Sequence, residues 1–339
     1  MVSLKTIAEK CGVSTATVSK ALNDQKDVSE ETKHRIKKTA EALGYFPNAA
    51  ARALKTNRSY NIGVLFEEEA GSGLTHEYFS GVLNGLKVQA EKQGHDITFI
   101  NTCFENRKMS YYEHCRYRNF EGVAIVCADY NDPDVLELMN SDLPVVTIDY
   151  VHHNCTAVSS NNIQGMEDLV KYIYQQGHRK IAYIHGQENS YVTKDRLASF
   201  YRTMDELGLE VPDEYIRTAD YLETKEAARQ TREILNLPDV PTCIIYPDDT
   251  ALIGGRNVII EMGLRIPRDI SVAGYDGTRI SQLLHPKLTT IRQNTELIGS
   301  EAAKRLIGTI EKPRTTLVER VVIEGSLVPG QSVGKILQK

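Results

Sequence analysis

The sequence predicts a small all-α headpiece of helix-turn-helix type, followed by an α/β body of two lobes with two doubly wound parallel sheets. Two observations carry this prediction. Residues 3–43 hold three serines that each precede apolar residues at helical spacing. From residue 61 onward, short apolar strands alternate with amphipathic helices, too many for one sheet. A chain of 339 residues has room for two or three domains with real cores.

The first two helices are short and joined by a tight turn. Ser3 is expected to cap a helix that ends at Gly12, and Ser14 a second helix that runs through Leu22. The second helix offers a mostly polar outer arc made of Thr15, Ala16, Ser19 and Lys20. Short polar groups beside a cation suit a DNA major groove. From this segment alone, an ordinary helical hairpin with a solvated face stays open as an alternative.

A third helix and a short alanine-rich segment complete the first 60 residues. Ser29 is expected to cap a helix that runs to about Leu43. Asn48 can cap the segment 49–55, which is too short to be a stable helix alone in water. It could fold when held against DNA and a second copy of the chain, or it could be a plain linker.

The charge distribution separates the two parts of the chain. Residues 1–60 hold 11 basic and 6 acidic residues, whereas the remainder holds 29 and 39. A basic head on an acidic body indicates a nucleic-acid-binding module attached to a different domain. The N-terminus resembles no signal peptide and no apolar run reaches membrane-spanning length, so we expect a soluble, cytoplasmic protein. The six cysteines form no CxxC pair, which suits reduced thiols.

The body shows the strand–helix alternation of parallel sheets. The predicted strands cover residues 61–66, 96–102, 122–127, 144–149, 180–186, 243–246 and 270–276. The predicted helices cover residues 77–93, 133–140, 195–207 and 249–262. Because neighbouring parallel strands end at the same edge of a sheet, ligands are expected outside their carboxyl ends.

Several motifs identify a family. VSLKTIAEKCGVSTATVSKALN, VSEETKHRIKKTAEALGYFPNAAARAL and IGVLF resemble the N-terminus of the lactose-repressor (LacI/GalR) family almost motif for motif. The body continues the match with QGHRKIAYI, DRLASFYRTMDELGL, DDTALIGG, GLRIPRDISVAGYDG and HPKLTTIRQN. The resemblance covers about residues 2–328. It implies a DNA-binding transcriptional regulator whose body has the fold of periplasmic sugar-binding proteins.

The resemblance also assigns DNA-binding residues. Thr15, Ala16 and Lys20 match the base-reading positions, and Lys20 stands where many relatives have arginine, so the preferred base is open. Phosphate contacts are expected from Thr6, Thr17 and Ser19. Beyond the third helix, Asn48 caps the hinge helix and Leu54 matches a leucine that wedges into the minor groove, with Lys55 beside it.

Matching the family's effector positions gives a consistent set in the cleft. Asp149 and Asp276 end strands and Arg196 lies near the start of a helix, where they could clasp vicinal hydroxyls of a sugar. Tyr221 matches a position that stacks on ligand, and Phe79 or Tyr191 could assist. The expected ligand is a sugar or sugar derivative, with no cofactor and no metal.

Two departures from the family pattern concern the cleft. The run Glu67-Glu68-Glu69 is either a solvated edge or a selector of cationic or hydroxyl-rich effectors. Pro247 replaces an amide that touches ligand in some relatives. Asp248 and Asp249 are expected to cap the following helix.

Other classes of function fit poorly. His152, His153 and Cys155 lack a second ligand pair for zinc. Residues 71–81 lack the third glycine of a dinucleotide fingerprint, and the sequence holds no nucleophile elbow, P-loop or HExxH motif. Asp149 and Asp276 could be imagined as a glycosidase pair, but the resemblance implies binding without turnover. An exported solute-binding protein would lack the first 60 residues.

These observations predict a homodimeric repressor of carbohydrate-utilisation genes, with residues 1–46 as the headpiece and 47–60 as hinge helix and linker. Residues 61–339 form the body, divided into an N-lobe (about 61–159 and 291–319) and a C-lobe (about 160–290 and 320–339). A dimer is expected because the C-terminal segment offers only Ile336 and Leu337 toward a leucine heptad. An inducing sugar would release the operator, and a corepressor acting through the same cleft is the alternative.

Overall fold

The computed structural model describes residues 2–46, 53, 58–68, 71–104 and 107–336. The chain forms two compact units, Met1–Ser59 and Tyr60–Lys339. Asn48, Leu54 and Lys55 of the expected hinge helix lie outside the described residues. Among the described residues, no helix is long and apolar enough to cross a membrane.

The first unit contains three helices: α1 (Leu4–Cys11), α2 (Thr15–Leu22) and α3 (Glu30–Ala42). The predicted cap serines each accept a hydrogen bond from the backbone N–H three residues onward. Ile7, Val18 and Ile36 are fully buried where the helices meet. This small core fixes α2 with its polar arc toward the surface.

The second unit begins with the first pass of the N-lobe. Its elements in chain order are β1 (Asn61–Phe66), α4 (Glu77–Lys92), β2 (Asp96–Phe99), β3 (Cys103–Phe104), β4 (Arg107–Lys108), α5 (Tyr111–Arg118), β5 (Gly122–Cys127), α6 (Pro133–Met139), β6 (Val145–Ile148) and β7 (Thr156–Ser160). A short 3₁₀ turn at Gly73–Thr75 precedes α4.

The chain then builds the C-lobe. Its elements are α7 (Asn162–Gln175), β8 (Ile181–His185), α8 (Tyr191–Glu206), β9 (Ile216–Thr218), α9 (Thr224–Leu235), β10 (Cys243–Ile245), α10 (Asp249–Glu261), β11 (Ser271–Ala273), α11 (Arg279–Leu283) and β12 (Thr290–Arg292). A 3₁₀ turn at Asp213–Tyr215 leads into β9.

The last segment returns to both lobes, with α12 (Thr295–Glu311), β13 (Arg320–Ile323) and β14 (Ser326–Val328). The N-lobe sheet has the parallel order β13-β7-β6-β5-β1-β2, and the C-lobe sheet the parallel order β11-β10-β8-β9. Apolar clusters cover both faces of each sheet. The predicted doubly wound α/β fold is therefore confirmed.

The N-lobe is closed by two helices that are distant in sequence. α12 packs on α4 so closely that a Cβ at Gly299 would lie 1.9 Å from the Val82 carbonyl oxygen. A Cβ at Gly85 would lie 2.1 Å from the Glu296 carbonyl oxygen. Glycine is required at both positions because the backbones approach too closely for any side chain.

Two expected lobe boundaries were wrong. The sequence predicts residues 320–323 in the C-lobe, but β13 pairs with β7 at the edge of the N-lobe sheet. The sequence predicts Ile291 in the N-lobe, but it packs in the C-lobe core, and β12 pairs antiparallel with β14. The crossings between the lobes therefore fall near residues 161, 293 and 325.

Candidate functional site

The headpiece brings the predicted base-reading residues onto one exposed face. Thr15 and Ala16 form the first turn of α2, and Lys20 lies one turn beyond Ala16 on the same side. The Lys20 ammonium forms an ion pair with Asp27, which holds the pKa of that carboxyl below its usual range. DNA would have to replace this carboxylate as the partner of Lys20.

The expected phosphate-contacting threonines belong to helix caps. The Thr6 hydroxyl lies 3.1 Å from the Ser3 hydroxyl, and the Thr17 hydroxyl lies 2.9 Å from that of Ser14. Both threonines therefore lie in the first turn of a helix, where backbone N–H groups favour an anion. Ser19 is half-buried in the middle of α2.

The second unit contains a cavity of about 470 Å³ between the two lobes. The structure brings together all six residues expected to bind effector, namely Phe79, Asp149, Tyr191, Arg196, Tyr221 and Asp276. They come from elements of both lobes, around the carboxyl ends of the parallel strands. This is where an open α/β sheet places its ligands.

Arg196 is the buried cation of the cleft, with 2% of its surface exposed. Its Nε donates to Asn162 Oδ1 at 2.8 Å and its Nη1 to the Pro247 carbonyl oxygen at 3.0 Å. The guanidinium carbon lies 3.5 Å from the centre of the Tyr275 ring. Its Nη2 lies 3.8 Å from Asp276 Oδ1, so four groups hold the planar fork where it lines the cavity.

Asp149 follows β6 in a left-handed backbone conformation with φ of 54°. Its carboxylate accepts a short hydrogen bond from the buried Tyr78 hydroxyl and another from the Ser160 backbone N–H at 3.3 Å. Burial raises the pKa of Asp149 above its usual range. The Tyr78 hydroxyl thus fixes the carboxylate against the cavity wall.

Asp276 and Asp248 face the cavity from the C-lobe. Asp276, also at positive φ, accepts from Gln293 Nε2 at 2.6 Å. Asp248 Oδ1 accepts from the backbone N–H groups of Thr250 and Ala251, which confirms its expected role as the cap of α10. Asp249 does not cap: it is buried and accepts from the Thr278 backbone N–H and hydroxyl.

Aromatic rings line the other walls. The Tyr221 hydroxyl lies 2.8 Å from the Thr193 hydroxyl, which fixes the ring at the edge of the cavity. Phe79 is half-buried and packs edge-on against Phe66. Tyr191 remains 47% exposed at the outer end. The arrangement thus joins charged and polar groups to apolar ring faces.

Of the acidic run beside the cleft, Glu67 is exposed and Glu68 is half-buried, and both accept hydrogen bonds within the protein. Glu68 Oε2 accepts from Ser72 N, Ser72 Oγ and Gly73 N at 2.9–3.0 Å, and its side chain lines the cavity. Glu67 accepts from the Tyr111 hydroxyl at 2.5 Å. Glu69 lies outside the described residues. Glu68 therefore holds the loop that leads into α4.

Sequence reasoning missed several cavity residues: His76, Tyr130, Tyr150, Lys194 and Gln293. Tyr150 directly follows Asp149 at the end of β6, and Tyr130 follows β5. A signal was present, since residues just after parallel strands meet at one edge of the sheet. Within the described residues, no group of three or more His, Cys, Asp or Glu side chains is placed to hold a metal ion.

A pH effect on stability is expected from Asp248. Burial, followed by the charge of Asp276, raises its pKa from 3.8 to about 6. The folded state therefore holds the proton more tightly than the unfolded state, and this contribution to stability is lost as pH rises from about 4 to 6. Asp248→Asn does not titrate, so its free energy of unfolding relative to the parent should rise by about 2 kcal/mol between pH 4 and pH 7.

Urea unfolding of both proteins across this pH range measures the difference. The constant cost of the altered cap cancels, because only the change with pH is compared. Parallel pH profiles for the two proteins would contradict the assignment.

Comparisons with known proteins agree with this geometry. Residues 3–48 match the model of "Bacterial regulatory proteins, lacI family", and residues 170–333 match that of a periplasmic binding protein-like domain. The HTH-type transcriptional repressor PurR of Mannheimia succiniciproducens is 30% identical over 99% of this chain and 100% of that protein.

Solved structures give the same result. The lac repressor dimer bound to operator and the anti-inducer ONPF is 26% identical, with a TM-score of 0.81 over 98% of this chain and 99% of that chain. A complex of the transcriptional regulator CelR with cellobiose is 25% identical, with a TM-score of 0.69 over 98% of this chain and 100% of that chain. The chain thus belongs to the lacI family of bacterial regulatory proteins and is a DNA-binding transcriptional repressor, not an enzyme.

Proposed function

We propose that two copies of this chain bind a near-palindromic operator and that a sugar or sugar derivative in the cleft changes operator affinity. The observation that carries the ligand class is the buried Arg196 guanidinium, which lines one cavity together with the carboxylates of Asp149 and Asp276. Charged groups of both signs make short hydrogen bonds to hydroxyls that donate and accept at once. The Tyr221 and Phe79 rings would cover the apolar face of such a ligand. The cellobiose complex of CelR, a relative of the same fold, supports this ligand class.

On DNA, the proposal assigns base contacts to Thr15, Ala16 and Lys20 and phosphate contacts to Thr6, Thr17 and Ser19. The exposed face of α2 supports the first set, and the helix caps support the two threonines. The proposal also places the repressor in the cytoplasm, on the DNA that it regulates.

The hinge assignments of Asn48, Leu54 and Lys55 rest on the sequence, because these residues lie outside the described ones. An apolar wedge between central base pairs kinks the duplex. Replacing Leu54 by alanine should therefore reduce the operator bend, measured by energy transfer between dyes at the two DNA ends, by at least half. Conversion of Lys26, a headpiece cation outside the residues assigned to DNA contacts, to alanine is the control. An unchanged bend would contradict the wedge.

The direction of regulation depends on which cleft conformation the operator-bound dimer prefers. A ligand that closes the cleft shifts this equilibrium only by its differential affinity, with coupling of typically 1–3 kcal/mol. Release of DNA makes the ligand an inducer, and tighter binding makes it a corepressor. In the lac repressor structure, operator and an anti-inducer are bound together, so a bound small molecule and bound DNA coexist in that relative.

The test is selection of binding sites from a random DNA pool by the purified protein at a stated salt concentration. Recovery of a near-palindrome is expected, and it supplies the probe for measuring operator affinity with neutral sugars added one at a time. At least one sugar should change that affinity about fivefold or more. Failure to recover any motif, with or without pooled metabolites, would overturn the assignment of DNA contacts. If only ligands of another class changed operator affinity, the proposal that the effector is a sugar would be wrong.

A further inference from the structure

The cavity has two chemically different ends. Arg196, Asp248 and Gln293 are buried at the inner end, whereas Asn131 and Tyr191 are exposed at the outer end. The volume of about 470 Å³ falls in the range of roughly 300–1,000 Å³ that accommodates drug-sized ligands. Such ligands are larger than one sugar ring. A single sugar ring bound at the inner end would therefore leave the outer half of the cavity free for a second group of the ligand.

Three tyrosines form the outer end. The Tyr130 and Tyr150 rings are stacked with centres 3.7 Å apart and planes within 3°. The Tyr150 and Tyr191 rings meet edge to face, with centres 5.1 Å apart. Tyr130 and Tyr150 belong to the N-lobe, and Tyr191 is the first residue of α8 in the C-lobe. Both lobes therefore contribute to this tyrosine wall.

The two N-lobe tyrosines at the outer end are held by contacts within the protein. The Tyr130 hydroxyl donates to the Ile148 carbonyl oxygen at 3.2 Å, which fixes the ring beside the strand that leads to Asp149. Tyr150 lies one residue beyond Asp149 in the chain. Both ends of the cavity therefore share one strand end, and a ligand held by Asp149 brings its next ring against Tyr150 or Tyr191.

The charged residues that line the cavity restrict the class of ligand further. Five carboxylates line the cavity, those of Glu68, Asp129, Asp149, Asp248 and Asp276. The described lining includes two cations that oppose them, Arg196 at the inner end and Lys194, whose Nζ lies 5.3 Å from the Tyr191 ring centre. A phosphorylated sugar would bring a further negative charge into this acidic space.

From these observations, and resting on the proposed function, we propose that Tyr130, Tyr150 and Tyr191 form a second subsite and that the effector is an uncharged glycoside of two rings. The first ring lies at Arg196, Asp149 and Asp276. The second ring, a sugar or an aromatic aglycone, packs against these tyrosine rings, of which Tyr191 is exposed and Tyr130 and Tyr150 are half-buried. Both kinds of second ring present a flat, uncharged surface to the three tyrosines.

The test is calorimetric titration of the full chain with neutral monosaccharides, their disaccharides, their nitrophenyl glycosides and their 6-phosphates. At least one two-ring ligand should bind about tenfold or more tightly than the monosaccharide that forms its first ring. The disaccharide and nitrophenyl arms distinguish a second sugar from an aromatic aglycone. Equal or tighter binding of the monosaccharide or of the phosphate, or no binding of any two-ring ligand, overturns the proposal.

Tyr191→Ala locates the second ring, and its exposed position makes misfolding a small risk. Loss of one aromatic contact should weaken two-ring binding roughly two- to tenfold more than it weakens monosaccharide binding. Tyr191→Phe keeps the ring and should behave as the parent. The exposed Tyr201 on the same helix lies outside the cavity lining, so Tyr201→Ala is the matched control. Equal weakening of both ligand classes by Tyr191→Ala overturns the subsite.

The same titrations separate this inference from the proposed function. A two-ring glycoside that binds with the expected tyrosine dependence but leaves operator affinity unchanged contradicts the effector role and keeps the subsite. A monosaccharide that binds as tightly as any two-ring ligand and changes operator affinity contradicts the subsite and supports a sugar as the effector.

Discussion

Arg196→Ala should abolish the effect of the ligand on operator affinity, while the variant without ligand binds operator as the parent without ligand does. Two of the five guanidinium N–H groups donate to Asn162 and the Pro247 carbonyl oxygen, so others remain that can donate to a ligand. Each charged hydrogen bond of this kind contributes about 1.5–3 kcal/mol. Loss of two such bonds to the ligand weakens its binding by about 100-fold or more. Calorimetry with the ligand identified by the operator assay measures this loss directly.

The same substitution also carries a cost for folding. Asn162 Oδ1 and the Pro247 carbonyl oxygen each lose a donor, and Asp276 loses its nearest cation. Breaking a buried charged cluster of this kind costs about 3 kcal/mol. Urea unfolding of the variant therefore has to be measured beside ligand binding.

Two further variants keep the result interpretable. Arg196→Lys keeps the charge and loses the planar fork, so it should fold and still lose most of the ligand affinity. Arg202 lies on the same helix, half-exposed and paired with Glu167 and Glu206, so Arg202→Ala should respond as the parent. A normal ligand response in Arg196→Lys and Arg196→Ala alike would remove Arg196 from the site.

The headpiece illustrates what local sequence can predict. Ser3, Ser14 and Ser29 cap the helices as expected, because capping is decided within four residues of chain. The buried positions of α1, α2 and α3 follow the same helical spacing. Local signals of this kind are sufficient where each helix contacts its neighbours in sequence.

The body shows where local reasoning fails. α12 was not predicted, and its two glycines, Gly299 and Gly308, weaken a helix when only propensity is considered. Gly299 is there because α4, more than 200 residues earlier, approaches it directly. β13 likewise joins the N-lobe sheet through pairing with β7, and no local pattern specifies that partner. These assignments need the tertiary structure.

The residues of the cleft likewise include some that the sequence predicts and some that only the structure reveals. The family motifs located Asp149, Arg196, Tyr221 and Asp276, all of which line the cavity. Tyr130 and Tyr150 carry no motif, since each is one tyrosine in a loop among 17 in the chain. Their ring stack becomes visible only when β5 and β6 lie side by side.

The second large effect is expected at the DNA surface, where Lys20→Ala should weaken operator binding. A good base contact contributes about 1–3 kcal/mol of discrimination. A symmetric dimer loses it at both half-sites, which is roughly thirtyfold even at the lower bound. Affinity for random DNA should change little, because phosphate contacts dominate non-specific binding. Titrations of operator and random duplex at several salt concentrations measure both quantities.

Lys37 offers a matched control. Its side chain is 47% exposed against 45% for Lys20, and it forms an ion pair with Asp24 as Lys20 does with Asp27. Lys37 lies on α3 and not on the base-reading face of α2. Lys37→Ala should therefore change the affinities for operator and for random DNA by the same factor. If Lys20→Ala also weakened both equally, Lys20 would be a phosphate contact and not a base contact.

The ion pair with Asp27 determines how the Lys20 result has to be interpreted. In the free protein the ammonium already has a carboxylate acceptor, so binding exchanges Asp27 for a base edge. Asp27→Asn removes the competitor and should strengthen operator binding, and this gain should vanish in the Lys20→Ala background. That non-additivity measures the exchange itself, since two independent surface charges would give additive effects. It also separates a lysine that reads DNA from one whose role ends at the ion pair within the headpiece.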